Sequence, residues 1–412
     1  LYHKIYKFVG INYEMINASA SCWIDKFFSD QKSITNPIIE SAAIFYSNTR
    51  NTGFIYGYIV SLDTENPIDT AEWTEDEISK VALLNSLFGV YKINTKDSNP
   101  DNFTVKTVSF YNEMHPQGFN LLKKILPNNS TSIDLEKIID GRIKTNIDII
   151  NKQFSHVLTN ALLFIDVLAF NYYLTNGSIP EKYLNKIEEA IISVVSLSLK
   201  IKSNKTNYDD LLIKLLEASV RYTKFSKISI QNLDDLKLDS FTLDIEKFYL
   251  IDLAGMALWS DEKIEKNEAF FLHHLAEILS VSDDFVESSI FNTNEFITKY
   301  KNEIPYFKYS NPVKHFFDHT TQNVEVLISR NKNRLFKEIS ESKELMLLLA
   351  KSTRKDLDEK EKKKVKKQLL DICKTIPSLT IFLLPGGSLL LPILIKFIPK
   401  LLPSAFNENL EE

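Results

Sequence analysis

The stretch HVLTNALLFIDVLAFNYY, residues 156–173, decides between a membrane span and a buried helix. Its 18 residues are rich in Leu, Ile, Val and Phe and approach the length a bilayer core requires. It also carries Thr159, Asn160, Asp166 and Asn171. A carboxylate in mid-segment is expensive in lipid, whereas a protein interior can supply it with a partner. The stretch therefore reads as a buried helix of a soluble, multi-helix body.

Working outward, Ser132, with Glu136 near it, opens a long periodic run that ends at Asn176-Gly177, before Pro180. Further helical spacing covers 181–202, 208–222, 241–259, 265–280, 283–300, 311–335 and 340–352. Composition agrees. The 412 residues include only 10 Gly and 13 Pro, too few turn-formers for a sandwich, barrel or propeller. At 44% hydrophobic and 25% charged, the chain can bury a core. The fold class expected is mainly α.

The N-terminal region is mixed. Met15 suits a biological start, which makes 1–14 an upstream extension and 15–130 the first region. Thr74 followed by Glu77 forms a capping box for a helix over Asp76–Tyr91. Between Ala43 and Leu62 the composition fits either a short hairpin or a buried helix. The remaining expected units are 131–235, 236–305, 306–374 and 375–408. Two distant cysteines, Cys22 and Cys373, argue against a disulfide framework.

Charge separates the C-terminal part. The net charge of −5 does not suggest a direct nucleic-acid binder, yet residues 351–374 hold ten Lys/Arg against five Asp/Glu. Lys360, Lys362, Lys363, Lys364, Lys366 and Lys367 could meet anionic lipid or set topology, or form a solvated helix face. Next comes Thr375–Ile395, 21 residues without a charge, long enough to cross a bilayer core at about 1.5 Å per residue. Pro385-Gly386-Gly387 near its middle removes a backbone donor and loosens the chain, so a kinked helix or a re-entrant hairpin is expected. The basic flank places the N-terminal body on the cytoplasmic side.

The prolines here, Pro377, Pro385, Pro392, Pro399 and Pro403, are spaced by 8, 7, 7 and 4 residues. With the preamble LDEKEKKKVKKQLLDICKT and the closing Leu402–Phe406, this ladder resembles the transmembrane segment of the LETM family, the leucine-zipper and EF-hand containing transmembrane proteins. The large body before the ladder looks like the bacterial LETM-related, biofilm-associated type. The resemblance implies an inner-membrane protein in proton-coupled K⁺ or Ca²⁺ exchange, with ribosome association also ascribed to the family, and since one span cannot form a pathway alone a homo-oligomer is expected. Members carry an acidic residue where this chain has Ser388, and a hydroxyl cannot titrate usefully. The soluble domain that follows in the family, to which ribosome binding is attributed, is not expected within these 412 residues. The alternative function is a membrane-anchored helical scaffold whose body binds a protein partner.

A second resemblance, within 236–305, is to the helical module of TerB-type tellurite-resistance proteins, carried by Ala257, Asp261, Ile264, Glu268 and Ser282-Asp283-Asp284. Asp261, Glu262, Glu265 and Glu268 could gather around a divalent cation, or form a polar loop capping the next helix. His315 and His319 lack a third zinc ligand, and adjacent His273 and His274 point different ways on a helix. No phosphate loop or nucleophile elbow occurs, so neither enzymatic activity nor a cofactor is expected.

Overall fold

In the computed structural model, the scarcity of Gly and Pro is expressed as one helix after another. The structure describes residues 16–31, 41–62, 70, 72–114, 131–153, 156–179, 182–202, 232–259, 265–303, 328–329, 331–355 and 357–375. In order these give α1 (Trp23–Gln31), α2 (Ala42–Asn51), α3 (Glu75–Thr95), α4 (Pro100–Met114), α5 (Thr131–Gln153) and α6 (His156–Asn176). Then follow α7 (Tyr183–Ile201), α8 (Asp244–Leu258), α9 (Lys266–Leu279) and α10 (Asp283–Tyr300). Last come α11 (Lys332–Ser340), α12 (Lys343–Arg354) and α13 (Glu359–Thr375). No strand occurs among the described residues.

The run read as continuous from 132 to 176 is two helices, α5 and α6. Helix α6 packs on α3 and α5, with Phe164, Val167, Leu168 and Phe170 fully buried. Asp166 is buried with them and has no exposed surface. Its charge is met in the interior: Arg142 Nε donates to Oδ2 at 2.7 Å and Nη2 donates to Oδ1. The Tyr111 hydroxyl adds a third donor at 3.0 Å. Gly177, at φ 82°, ends α6 in the left-handed turn that favours glycine, its N–H donating to the Tyr173 carbonyl at 2.8 Å.

The segment Ala43–Leu62 is helical in its first part, through Tyr56, and contains no strand. Ser41 caps α2 by accepting from the Ile44 N–H, and Phe54–Tyr56 form a 3₁₀ turn. Gly53 (φ 81°) permits that turn, since a Cβ there would lie 2.0 Å from the Tyr58 carbonyl oxygen. The turn delivers Tyr56 to Thr293 of α10, with 3.1 Å between their hydroxyls. Ten residues earlier, in α2, Tyr46 donates to Asp252 Oδ2 of α8 at 2.8 Å, and Ser289 of α10 donates to Oδ1. Arg50 Nη1 stands 3.6 Å from the same carboxylate. Burial pushes the Asp252 carboxyl above the usual carboxylate range, against the opposing pull of Arg50 and the Ser289 and Tyr46 hydroxyls. Helices α2, α8 and α10, far apart in sequence, meet on this one group.

One main core runs from Ala18 to Ile297. A second, small set of buried side chains follows it: Leu335 and Ile339 of α11, Leu345 and Leu349 of α12, and Val365, Leu369, Ile372 and Cys373 of α13. These three helices pack on one another.

The membrane architecture expected at 375–408 is corrected. No helix among the described residues is long and apolar enough to cross a membrane. The most apolar one, α6, holds an ion-paired carboxylate inside the body, and the helix leading into 375–408 is dominated by lysine. Residues 376–412 lie outside the described residues. The proton-coupled exchanger, the membrane-anchored scaffold, the lipid partner and the inner-membrane location all required a membrane segment, and no helix among the described residues supports them. The oligomer and the protein partner that those roles required lose their support as well.

Removing one member of the buried Arg142–Asp166 pair strands the other. Asp166→Ala should lower unfolding stability by about 3–5 kcal/mol in urea titrations, whereas Arg142→Met with Asp166→Leu should cost much less than the two single changes summed. Asp252 contributes a pH-dependent term of defined sign. Because its native pKa is raised, its contribution is fully present below the unfolded Asp value of about 3.9 and is lost as pH rises through the native value. The difference in urea midpoint between the parent and Asp252→Asn, measured from acid to neutral pH, should show that step; a flat difference would exclude it.

Candidate functional site

The strongest concentration of like charge among the described residues is α13, EKEKKKVKKQLLDICKT. Its start is defined locally. Asp358 Oδ1 accepts the N–H groups of Lys360 and Glu361, both at 2.8 Å, and the Asp358 N–H donates to Glu361 Oε2 at 3.0 Å. This reciprocal capping holds the Asp358 carboxyl below its usual range. Buried Val365, Leu369, Ile372 and Cys373 then recur at i, i+4, i+7 and i+8, one face of a 3.6-residue helix.

At about 100° per residue, Lys360, Lys363 and Lys367 fall on the opposite face, with Lys364 and Lys366 beside them. All five are exposed. The lysines on α13 divide into two groups by their partners. Lys364 Nζ reaches Glu344 Oε1 of α12 at 2.6 Å, and Gln368 donates to the other oxygen at 3.0 Å. Lys362 pairs with Glu359 at 3.0 Å and Lys374 with Asp371 at 2.6 Å. From α12, Lys351 pairs with Glu361 at 2.5 Å. The ion pair with Lys364 pulls the Glu344 carboxyl down and Lys364 up. Lys360, Lys363, Lys366 and Lys367 have no carboxylate within 4.0 Å among the described residues. Lysines spaced three and four apart on one helix face repel one another. Asp371 offsets part of this charge at Lys367, and the exposed face presents a row of lysines to solvent.

The other residues singled out from sequence are placed less uniformly. Pro377, Pro385, Gly386, Gly387, Ser388, Pro392, Pro399 and Pro403 lie outside the described residues, as do Asp261, Glu262, His315 and His319. Glu268 is buried, and its Oε2 accepts the Glu265 N–H at 2.7 Å, which is the capping arrangement at the start of α9. No group of three metal-ligating side chains is present among the described residues. His273 bridges Asp283 at 2.7 Å and Glu287 at 3.3 Å, while His274 faces Asp234 at 3.2 Å, so the two rings point apart. Sequence reasoning missed Glu344, which accepts from both Lys364 and Gln368 of α13. Nothing in its spacing from α13 signals that pairing, because it crosses a helix-to-helix contact.

Comparison with known proteins identifies one region. A family model described as LETM1-like, RBD matches residues 357–412, beginning one residue before the Asp358 cap. The match therefore includes the whole of α13 and the proline ladder. It does not reach the TerB-like stretch 236–305, and nothing supports the biofilm-associated type. No curated protein and no solved structure matches the chain.

The small core beneath the lysine face can be probed through its thiol. Burial pushes Cys373 up to about 12, so little of the nucleophilic thiolate is present at neutral pH. Iodoacetamide should label exposed Cys22 well before Cys373, and Val365→Ala, which opens a cavity against the same core, should speed labelling of Cys373 alone.

Proposed function

We propose that this protein is a non-catalytic helical protein whose C-terminal unit binds RNA phosphate on the ribosome. The observation that carries this reading is the row Lys360, Lys363, Lys366 and Lys367, exposed on α13 and outside its close ion pairs, which take Lys362, Lys364 and Lys374. Phosphate contacts by lysine supply the sequence-independent part of nucleic-acid affinity. The match of 357–412 to the LETM1-like RBD model supports the same target and sets aside the expectation that the part of the family to which ribosome binding is attributed lies outside these 412 residues. The overall charge of −5 pointed away from nucleic acid only because it averages an acidic body with a basic tail. Residues 332–375 carry fourteen Lys/Arg and eight Asp/Glu, a local +6.

The ion pairs around the row have a supporting role. Glu344 and Glu361 tie α12 and α13 together through Lys364 and Lys351, which holds the face rigid. Paired lysines position the helix, and unpaired ones meet the anion.

Cosedimentation of the full chain with purified ribosomes over a series of salt concentrations tests the reading. Binding should weaken steeply with salt, with a log–log slope of about −3 if four phosphates are engaged at about 0.7–0.9 per contact. Replacing Lys360, Lys363, Lys366 and Lys367 together with Gln should remove most of that slope while the circular dichroism stays unchanged. Equal binding and equal slope in parent and variant would reject the assignment.

A further inference from the structure

We infer that the RNA class taken by this face is duplex, held by its phosphate backbone and not read by base. The inference rests on the RNA-binding assignment above and adds the form of RNA bound. Its first support is the chemistry of the face. Proteins that bind single strands without sequence preference stack bases on aromatic side chains or guanidinium planes. Across residues 331–375 the sole aromatic residue is Phe336, which is partly buried on α11. Helix α13 has seven lysines and no arginine. An ammonium group is a point charge with no planar surface, so it offers attraction to phosphate and neither stacking nor bidentate base recognition.

Geometry is the second support. Lys360, Lys363 and Lys367 sit three and four residues apart on one helix, or about 4.5 and 6 Å along its axis. Capping by Asp358, the Lys364–Glu344 and Lys351–Glu361 pairs and the buried Val365–Cys373 face hold that row in place. The helix fixes the spacing of the row while each ammonium keeps a flexible stem, and such a row is best matched by phosphates already held at regular spacing. In a duplex the phosphates are ordered before binding, whereas a single strand must lose conformational freedom to line up, with no stacking to offset the loss.

The polarity of α13 also restricts the approach. The N-terminal end of a helix ordinarily attracts anions. Here Asp358, Glu359 and Glu361 occupy that end, and Asp358 already accepts the Lys360 and Glu361 N–H groups, so a phosphate is repelled from the tip. The contact is therefore lateral, along the side of the helix from Lys360 to Lys367. Lateral contact with a row about 10 Å long fits the backbone bordering a duplex groove better than an isolated terminal phosphate.

Fluorescence anisotropy of the full chain with a labelled 16-base-pair RNA duplex and a non-structured single strand of equal phosphate number tests this directly. The duplex should bind at least tenfold more tightly at the same salt, and the fourfold Lys→Gln variant should lose that preference along with most of its affinity. Equal or tighter binding of the single strand would overturn the duplex assignment and leave the RNA-binding reading standing. Binding of neither RNA would overturn both. A duplex preference that persists in the variant would move the site away from α13 and overturn the inference as placed here.

Discussion

The Asp166 carboxylate lies in the most apolar described helix with no exposed surface, and the main helical body depends on how it is neutralised. A bare carboxylate there would be prohibitive in either lipid or protein. Arg142 of α5 makes a two-point contact with it and Tyr111 of α4 completes its coordination, so α4, α5 and α6 are drawn to one point. Geometry of this kind specifies which helices are neighbours as well as how strongly they hold. Helix α6 can then turn its remaining apolar surface to α3 and the 3₁₀ turn at Phe54–Tyr56.

A second polar junction does similar work farther along the chain. Asp252 receives hydroxyls from α2 and α10 and stands beside the Arg50 guanidinium, whose ring neighbour is Phe285. Both junctions are assembled from residues that are ordinary in sequence. They become significant only because burial removes the water that would otherwise satisfy them. Against this acidic, tightly packed body, the C-terminal helices form a different kind of structure, with a small apolar core and a surface of lysine. That contrast is what separates a scaffold region from the face proposed to meet RNA.

Much of the architecture was legible from local chemistry. Thr74 does cap its helix with Glu77 in reciprocal fashion, at 3.3 Å and 2.9 Å, because the motif needs only residues three apart. The ends of α7, α10 and α12 lie within a few residues of the limits set by apolar spacing. Aromatic-rich Ala43–Leu62 was ambiguous because buried helices and strands share composition, and the positive-φ glycines that resolve it act through contacts with Tyr58 and Phe296. At the candidate site, the lysine run was visible as composition. Its reading as a membrane flank came from the uncharged stretch after it, whereas one family model matches both together over 357–412.

The sequence by itself determined that the chain is mainly helical, where several of its helices start and stop, and that its positive charge is concentrated near the C-terminus. Those properties depend on neighbours within one or two turns: capping residues, 3.6-residue apolar spacing and local charge. Only the tertiary structure decided that Asp166 is paired with Arg142, that Glu136 reaches from α5 to accept the Cys22 and Ile24 N–H groups at the start of α1, and which lysines remain unneutralised. Each of these is a contact between groups brought together by packing. Coulombic and hydrogen-bond energies depend on distance and burial, and neither is encoded in the spacing of residues along the chain.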